Sequence, residues 1–209
     1  MTNSLFFDTD CVSAFLWVNE QRLLSQLYPD RVVIPKPVYN ELSYVPHLKQ
    51  GVDSLINNHK AKLEHLNVDT ELYNLYHKLT RNPDPGYKVI GAGEAASIAM
   101  AKIYDGIVAS NNLSDINVYI NRFSLKLTST RKMKGFVQGN NLSDINVYIN
   151  RFSLKHLTTG DILVDAFKQG IISESQGNQI WANMLSKRRL LGASSFTEYL
   201  GLKNKQQSG

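Results

Sequence analysis

Short apolar runs alternate with helical patterns along the chain. Four runs are typical of buried strands, at residues 5–7, 31–34, 63–68 and 106–110. Between and after them, apolar residues recur at helical spacing and predict helices at residues 11–18, 37–42, 71–79, 93–103, 161–168 and 171–188. Strands that alternate with helices build βαβ units. The pattern therefore predicts an α/β fold around a central, mostly parallel sheet.

One segment of the chain occurs twice. Residues 111–126 and 140–155 both read NNLSDINVYINRFSLK, and weaker similarity extends the duplicated units to residues 106–134 and 135–163. A solenoid needs three or more repeats to bury their faces, so two copies do not build a repeat architecture. We interpret the pattern as a tandem duplication, natural or artificial, inside a domain of residues 1–170. Residues 171–209 are predicted to form a helical extension that ends in a polar, mobile tail from residue 203.

The composition excludes several classes of protein. The 209 residues are 43% hydrophobic, enough to build a core and to exclude wholesale disorder. No apolar run approaches the roughly 18 residues that span a bilayer, and Asp8 and Asp10 interrupt the region where a signal peptide would be apolar. A single cysteine, Cys11, excludes an internal disulfide and suits a reducing compartment. We therefore predict a cytoplasmic protein without a membrane partner. The net charge of +5 is compatible with a polyanionic partner.

A glycine-rich motif offers one functional hypothesis. Residues 91–96 read GAGEAA and satisfy the dinucleotide-binding pattern G-x-G-x-x-A before a helix. The preceding strand would be only Val89 and Ile90, and Glu94 would put a carboxylate where a pyrophosphate binds. The acidic residue expected after the next strand is also absent. A nicotinamide-binding protein is thus the weaker alternative.

Carboxylates at the ends of successive βα units offer another hypothesis. Asp8 follows the first strand, Glu41 lies in the helix after the second, Glu94 opens a helix, and Asp115 follows the strand at 106–110. Such positions converge at the carboxyl edge of a parallel sheet. Clustered carboxylates repel one another, so the cluster stays ionised only if it holds cations, and oxygen ligands suit Mg²⁺ or Mn²⁺. An ion of this kind can activate water for attack on a phosphodiester.

At these positions the sequence resembles the PIN domain family of metal-dependent ribonucleases. The resemblance rests on LFFDTD (residues 5–10), VVIPKPVYNEL (32–42), GEAASIAMAK (93–102) and GIVASNNLSDI (106–116). It implies a three-layer fold and an endoribonuclease that uses Mg²⁺ or Mn²⁺. The implied catalytic residues are Asp8, Glu41, Glu94 and Asp115. Asp8, Glu94 and Asp115 are the implied metal ligands, with Asp144 as the duplicate of Asp115.

The same resemblance implies partners and residues that bind substrate. RNA is the implied substrate, and an antitoxin protein is the implied partner if the chain is a toxin of the VapC type; a homodimer is also common in the family. Asp10 takes a polar position near metal or phosphate, and Asn112 is placed with it as a candidate for binding substrate. The basic run Lys187, Arg188 and Arg189 is a candidate for gripping the phosphate backbone.

Each of these residues has a simpler explanation that the sequence leaves open. Asp8 or Asp10 could cap the helix that follows, which is a common use of aspartate. Glu41 could lie on a solvated helix face, and Glu94 in a first turn is favoured by the helix dipole alone. The basic run could solvate a helix end. A catalytically inactive RNA- or protein-binding module on the same fold is therefore the alternative function. Of the two repeats, we expect Asp115 rather than Asp144 to face the carboxylates, because its tether is shorter.

Overall fold

The structure is a computed structural model, and it describes residues 3–83, 89–111, 154–189 and 191–207. Its sheet contains five short strands: β1 (Leu5–Phe7), β2 (Val32–Pro35), β3 (Lys62–Glu64), β4 (Ile107–Ala109) and β5 (Lys155–Leu157). They lie in the order β3-β2-β1-β4-β5, and every neighbouring pair is parallel. The predicted α/β class and parallel sheet are confirmed.

Nine helices surround the sheet in the described part of the chain. Those before β4 are α1 (Thr9–Trp17), α2 (Arg22–Leu27), α3 (Lys36–Ser43), α4 (Pro46–Asn57), α5 (Glu71–Arg81) and α6 (Ala92–Ile103). Those after β5 are α7 (Thr159–Lys168), α8 (Glu174–Ser186) and α9 (Phe196–Gln207). None of these helices is both long and apolar enough to cross a bilayer.

Alternation along the strands divides the core between the two faces of the sheet. Successive side chains of a strand point to opposite faces. In β1, Leu5 and Phe7 join the larger cluster, which includes buried residues of α1, α2, α3, α4, α7, α8 and α9. Phe6 joins the smaller cluster with Leu72 and Leu79 of α5 and with α6. Helices therefore cover both faces, and strands β1, β2 and β4 are apolar throughout because both of their faces are covered.

Three helices and one strand are additions to the sequence prediction. Helices α2, α4 and α9 and strand β5 were not predicted, and the helix expected at residues 171–188 begins only at Glu174. Ser173 caps that helix: its hydroxyl accepts a hydrogen bond from the amide of Gln176, whose side chain accepts one from the Ser173 amide. This reciprocal capping box fixes the start of α8.

Helix α9 includes residues 203–207 of the segment that the sequence predicts as a mobile tail. The helix is anchored by aromatic packing: the ring of Trp181 in α8 lies 6.1 Å from Phe196 and 5.1 Å from Tyr199, centroid to centroid. Lys203 Nζ also lies 2.7 Å from Asp161 Oδ1 in α7. A buried aromatic anchor and an ion pair hold a segment whose composition is polar.

We predict opposite effects for two helical glycines. A Cβ added at Gly177 would lie 2.3 Å from Cδ1 of the buried Phe196 ring, whereas one added at Gly201 in α9 would meet nothing within 4 Å. Gly177→Ala should lower the free energy of unfolding by about 1–3 kcal/mol, the usual cost of overpacking. Gly201→Ala should raise it by up to about 1 kcal/mol through helix propensity. Denaturant unfolding of both variants measures this, and equal stabilisation would show that α9 does not pack on α8.

A carboxylate-lined cavity at the carboxyl edge of the sheet

The centre of the sheet is the place where its connections change direction. β1 lies between β2 and β4, so the chain leaves it toward β2 and later returns on its other side to β4. In open parallel sheets this arrangement opens a crevice at the carboxyl ends of the strands, where ligands commonly bind. Asp8, the residue after β1, lies at this point.

A polar cavity of about 370 Å³ opens at this edge. It collects side chains from β1–α1, α3, the start of α6 and the segment after α8. The lining residues are Asp8, Thr9, Asp10, Ser13, Glu41, Gly91, Gly93, Glu94 and Arg189. Four carboxylates that are far apart in sequence thus share one cavity with one arginine.

The carboxyl group of Asp8 is buried and fully engaged. Only 1% of the residue is exposed. Oδ1 accepts a hydrogen bond from the amide of Cys11 at 2.8 Å, which caps α1, and Oδ2 accepts one from the hydroxyl of Ser110 beyond β4. The helix-capping role that the sequence left open is therefore present, and it coexists with a position in the cavity.

Burial raises the pKa of Asp8 from an ordinary value of 3.8 to about 7. The two hydrogen bonds lower the pKa, and the charges of Asp10 and Glu94 raise it. A carboxyl whose pKa lies near neutrality, beside other carboxylates, gains stability in its ionised form from any cation that enters. Asp8 is therefore the group on which added positive charge would act most strongly.

Asp10 faces a cation from a distant part of the chain. Its Oδ1 lies 3.3 Å from Nη1 of Arg189, which also lies 3.4 Å from the hydroxyl of Ser13. Burial raises the pKa of Asp10, whereas Arg189 and a hydrogen bond from Asn111 lower it, and the balance is a raised pKa. Arg189 thus brings one positive charge into a cavity of four carboxylates.

Glu41 connects three helices around the cavity. Its Oε2 accepts a hydrogen bond from the hydroxyl of Thr9 at the start of α1, and its Oε1 accepts one from the amide of Gly93 at 2.9 Å. A Cβ at Gly93 would lie 2.7 Å from Thr9 Oγ1 and 2.8 Å from Glu41 Oε2, so a larger residue would displace this hydrogen-bonded pair. Glu41 therefore lies inside the structure of the cavity and not on a solvated helix face.

Glu94 lies in the first turn of α6, where its half-buried side chain lines the cavity. No strand precedes the motif GAGEAA, since Val89 and Ile90 are irregular. The amide of Gly93, which a bound phosphate would need, donates to Glu41 instead. The geometry therefore provides neither the strand nor the open amide of a dinucleotide site.

Neutral side chains that the sequence did not single out support the carboxylates. The Ser97 hydroxyl donates to the carbonyl oxygens of Phe7 at 2.9 Å and Gly93 at 3.0 Å, fastening α6 to β1. Asn111 Oδ1 accepts from the amide of Thr159 at 2.8 Å. The rule that strand ends converge also indicates Ser110 and Asn111, because both directly follow β4, but neither carries the charge that distinguishes a candidate metal ligand in a sequence.

The other candidate site residues either do not line the cavity or fall outside the residues that the structure describes. Lys187 and Arg188 are exposed and do not line the cavity, although they precede Arg189 directly. Asn112, Asp115 and Asp144 fall outside the described residues, as does the choice between the two repeats. The structure thus brings together Asp8, Asp10, Glu41, Glu94 and Arg189.

The donor chemistry of the cavity fits a hard divalent cation. Asp8, Asp10 and Glu94 offer oxygen atoms, the ligands that Mg²⁺ and Mn²⁺ prefer, and the charges of Asp10 and Glu94 act unfavourably on ionised Asp8. Within residues 3–83, 89–111, 154–189 and 191–207, however, no three His, Cys, Asp or Glu side chains form a group that could hold a metal ion. The donor type fits, and the described part of the chain does not contain a complete ligand set.

The comparison with known proteins identifies no relative of this chain. No protein-family model, no curated protein and no solved structure matches the chain.

The raised pKa of Asp8 predicts a pH-dependent stability difference. Without metal, unfolded Asp8 loses its proton above pH 3.8 and folded Asp8 only near pH 7, so the group destabilises the folded protein increasingly between those values. Asp8→Asn removes this titration and keeps a capping side chain. The variant should match wild type near pH 4 and exceed it near pH 7, by at most about 4 kcal/mol.

The measurement is unfolding in a chelator at several pH values. Asp53→Asn is the matched control, because the hydrogen bond from Lys49 lowers the pKa of the half-buried Asp53. The difference in the free energy of unfolding between Asp53→Asn and wild type should have the opposite sign to that of Asp8→Asn. A constant offset between Asp8→Asn and wild type across this pH range would contradict the burial of an un-ionised Asp8.

Proposed function

We propose that this chain is a divalent-metal-dependent endoribonuclease, a phosphodiesterase that uses Mg²⁺ or Mn²⁺. The observation that carries the proposal is the position of Asp8, buried at the switch point of a parallel sheet in one cavity with Asp10, Glu41 and Glu94. Four carboxylates that share one small cavity repel one another, although Asp8 and Glu41 also hold helices in place. Their convergence is best explained by a cationic ligand.

The proposed ion would be held by Asp8 and Glu94, with Asp115, or Asp144 as its duplicate, as the predicted further ligand. Such an ion supplies an activated water and charge neutralisation at a phosphodiester. Glu41 acts as a positioning residue, because its hydrogen bond to the Gly93 amide fixes the first turn of α6 that carries Glu94. Ser110 and the Cys11 amide orient the carboxyl of Asp8.

The proposed substrate is RNA, and the positive charges of the chain support it. Arg189 lies at the cavity, and a guanidinium is suited to bidentate contact with phosphate. Lys187 and Arg188 are exposed beside it, where they can follow a phosphate backbone. The net charge of +5 favours approach of a polyanion.

The biological setting is part of the same proposal. We propose a cytoplasmic ribonuclease whose setting is a toxin–antitoxin pair, with an antitoxin protein as partner and a homodimer as assembly, although the chain is longer than typical toxins of the VapC type. These statements rest on the resemblance of four sequence motifs to the PIN domain family.

A second candidate function is a catalytically inactive RNA- or protein-binding module on the same fold. The observation that favours it is the state of Asp8: both of its oxygens already accept hydrogen bonds, and its pKa near 7 leaves much of it un-ionised at neutral pH. A carboxyl in this state is a poor ligand until a cation displaces the proton. The two functions differ in whether the cavity binds metal.

RNA cleavage tests the enzymatic proposal. Wild type should cleave single-stranded RNA in Mg²⁺ or Mn²⁺ and stop in a chelator, and Asp8→Asn should be slower by more than about 100-fold, because changes outside the ligand shell already cost about 10–100-fold in metal sites. Asp53→Asn, a change of the same chemistry on α4, should cleave as wild type does. Equal cleavage by Asp8→Asn and wild type would place the active site elsewhere.

Calorimetric titration with Mn²⁺ separates the two candidate functions. An intact site should bind the ion with release of a proton, since Asp8 must ionise, and Asp8→Asn and Glu94→Gln should each weaken binding. The proton release should be larger at pH 6 than at pH 8, because the pKa of Asp8 is about 7. Absence of binding at millimolar Mn²⁺ would favour the inactive module.

A further inference from the structure

Helix α5 carries a cluster of three rings on its surface. Leu72 and Leu79 take the buried positions of this helix, at 4% and 1% exposure. Tyr73 lies 6.2 Å from Tyr76 and 6.3 Å from His77, centroid to centroid. Tyr73 and Tyr76 are half-buried and His77 is exposed, so the rings remain open to solvent on one side. The spacing of three and four residues brings them together on the helix surface.

The helix that carries this ring cluster ends beside the carboxylate cavity. The carbonyl oxygen of Leu79, in the last turn of α5, accepts a hydrogen bond from the amide of Ile90 at 3.2 Å, and the following residue, Gly91, lines the cavity. Helix α5 packs against α6, whose first turn carries Glu94. Burial raises the pKa of Tyr76, and the nearby charges of Tyr73 and Glu41 raise it further. The last turn of α5 thus lies at the cavity wall.

A cation completes the cluster. Arg81 is exposed in the last turn of α5, four residues after His77, a spacing that brings two residues together on a helix surface. Aromatic faces beside a cation are the combination with which proteins bind single-stranded nucleic acid: the rings stack on bases and the cation contacts the backbone. The positive charge beside the rings favours a polyanion over an apolar surface as the ligand.

We propose that Tyr73, Tyr76 and His77 form a stacking platform for unpaired bases of an RNA whose backbone passes the carboxylate cavity. The proposal rests on the proposed function for the identity of the substrate, and it adds a specificity. Every base has a face that can stack, so the platform tolerates different sequences. Bases inside a duplex are already stacked and cannot reach the rings, so the platform selects single-stranded RNA over duplex RNA.

The test measures binding of a short labelled single-stranded RNA by fluorescence anisotropy in a chelator, where the proposed cleavage is stopped. Tyr73→Ala and Tyr76→Ala should each raise Kd about tenfold, the usual effect of losing one base–aromatic stack. Tyr73→Phe and Tyr76→Phe should keep the affinity, because the ring remains. A duplex of the same length should bind wild type more weakly than the single strand does.

Tyr104→Ala is the matched control. Tyr104 is 51% exposed and stacks on Phe6 at 6.0 Å, but it precedes β4 and so lies at the amino edge of the sheet, away from the cavity. Its loss should leave Kd unchanged. Thermal melting of all variants separates a loss of stacking from a loss of fold.

RNAs that each carry one abasic position provide a second binding test of the platform. For wild type, one or two abasic positions should raise Kd, and those same positions should have no further effect on the Tyr73→Ala, Tyr76→Ala double variant. The proposal is overturned if the alanine variants bind the single strand as wild type does, if duplex binds equally well, or if wild type binds no RNA. These results would assign the rings to helix stability or to contact with a protein.

The outcomes for the platform and for the nuclease are distinguishable. Metal-dependent cleavage that the tyrosine variants leave unchanged, in rate and in KM, would overturn the platform alone. Ring-dependent binding of RNA in a chelator, without cleavage in Mg²⁺ or Mn²⁺, would overturn the nuclease alone and leave an RNA-binding module. If both proposals hold, the alanine variants should raise KM for single-stranded RNA more than they lower kcat.

Discussion

The Asp8 carboxyl accepts hydrogen bonds from the Cys11 amide and the Ser110 hydroxyl, and this pair of bonds joins the first helix to the two central strands of the sheet. The group is 1% exposed, so it needs both partners to offset the loss of water. The same group carries the strongest candidate chemistry of the chain. Stability and function therefore meet at one side chain, whose pKa is raised by burial and whose ionised state a bound cation would favour.

Glu41 also combines a structural role with a position in the cavity. Its two oxygens hold Thr9 and the Gly93 amide, so the wall of the cavity is a closed arrangement of α1, α3 and the start of α6. A side chain at Gly93 would push against Thr9 and Glu41, so glycine allows the three elements to approach closely. A cavity built from such contacts is positioned before any ligand arrives, and preorganised groups lose little entropy on binding.

Much of the fold could be predicted from the sequence because the signals are local. The strands around Phe6, Val33 and Val108 are apolar runs, and α6 is an apolar helix after a glycine-rich turn. Helix α9 could not be predicted in the same way, since its anchors Phe196 and Tyr199 bury against Trp181, a contact between helices that local pattern does not encode. The convergence of Asp8, Glu41 and Glu94 followed from a rule about parallel sheets. The pairing of Asp10 with Arg189 depends on tertiary packing across most of the chain, and no spacing in the sequence indicates it.

Two neighbouring strands of the sheet, β4 and β5, lie at the start and the end of the duplicated sequence. Strand β4 lies just before the first copy and β5 at the end of the second, and the two pair in register, Ile107 with Lys155 and Ala109 with Leu157. Closing a connection costs only about 0.6 kcal/mol more for each doubling of its length. Deletion of residues 112–140 would remove none of the described residues. The chain that remains would contain one complete copy of the sixteen-residue repeat. The length of chain between these strands is therefore a property that can drift in evolution while the sheet and the carboxylate cavity keep their form.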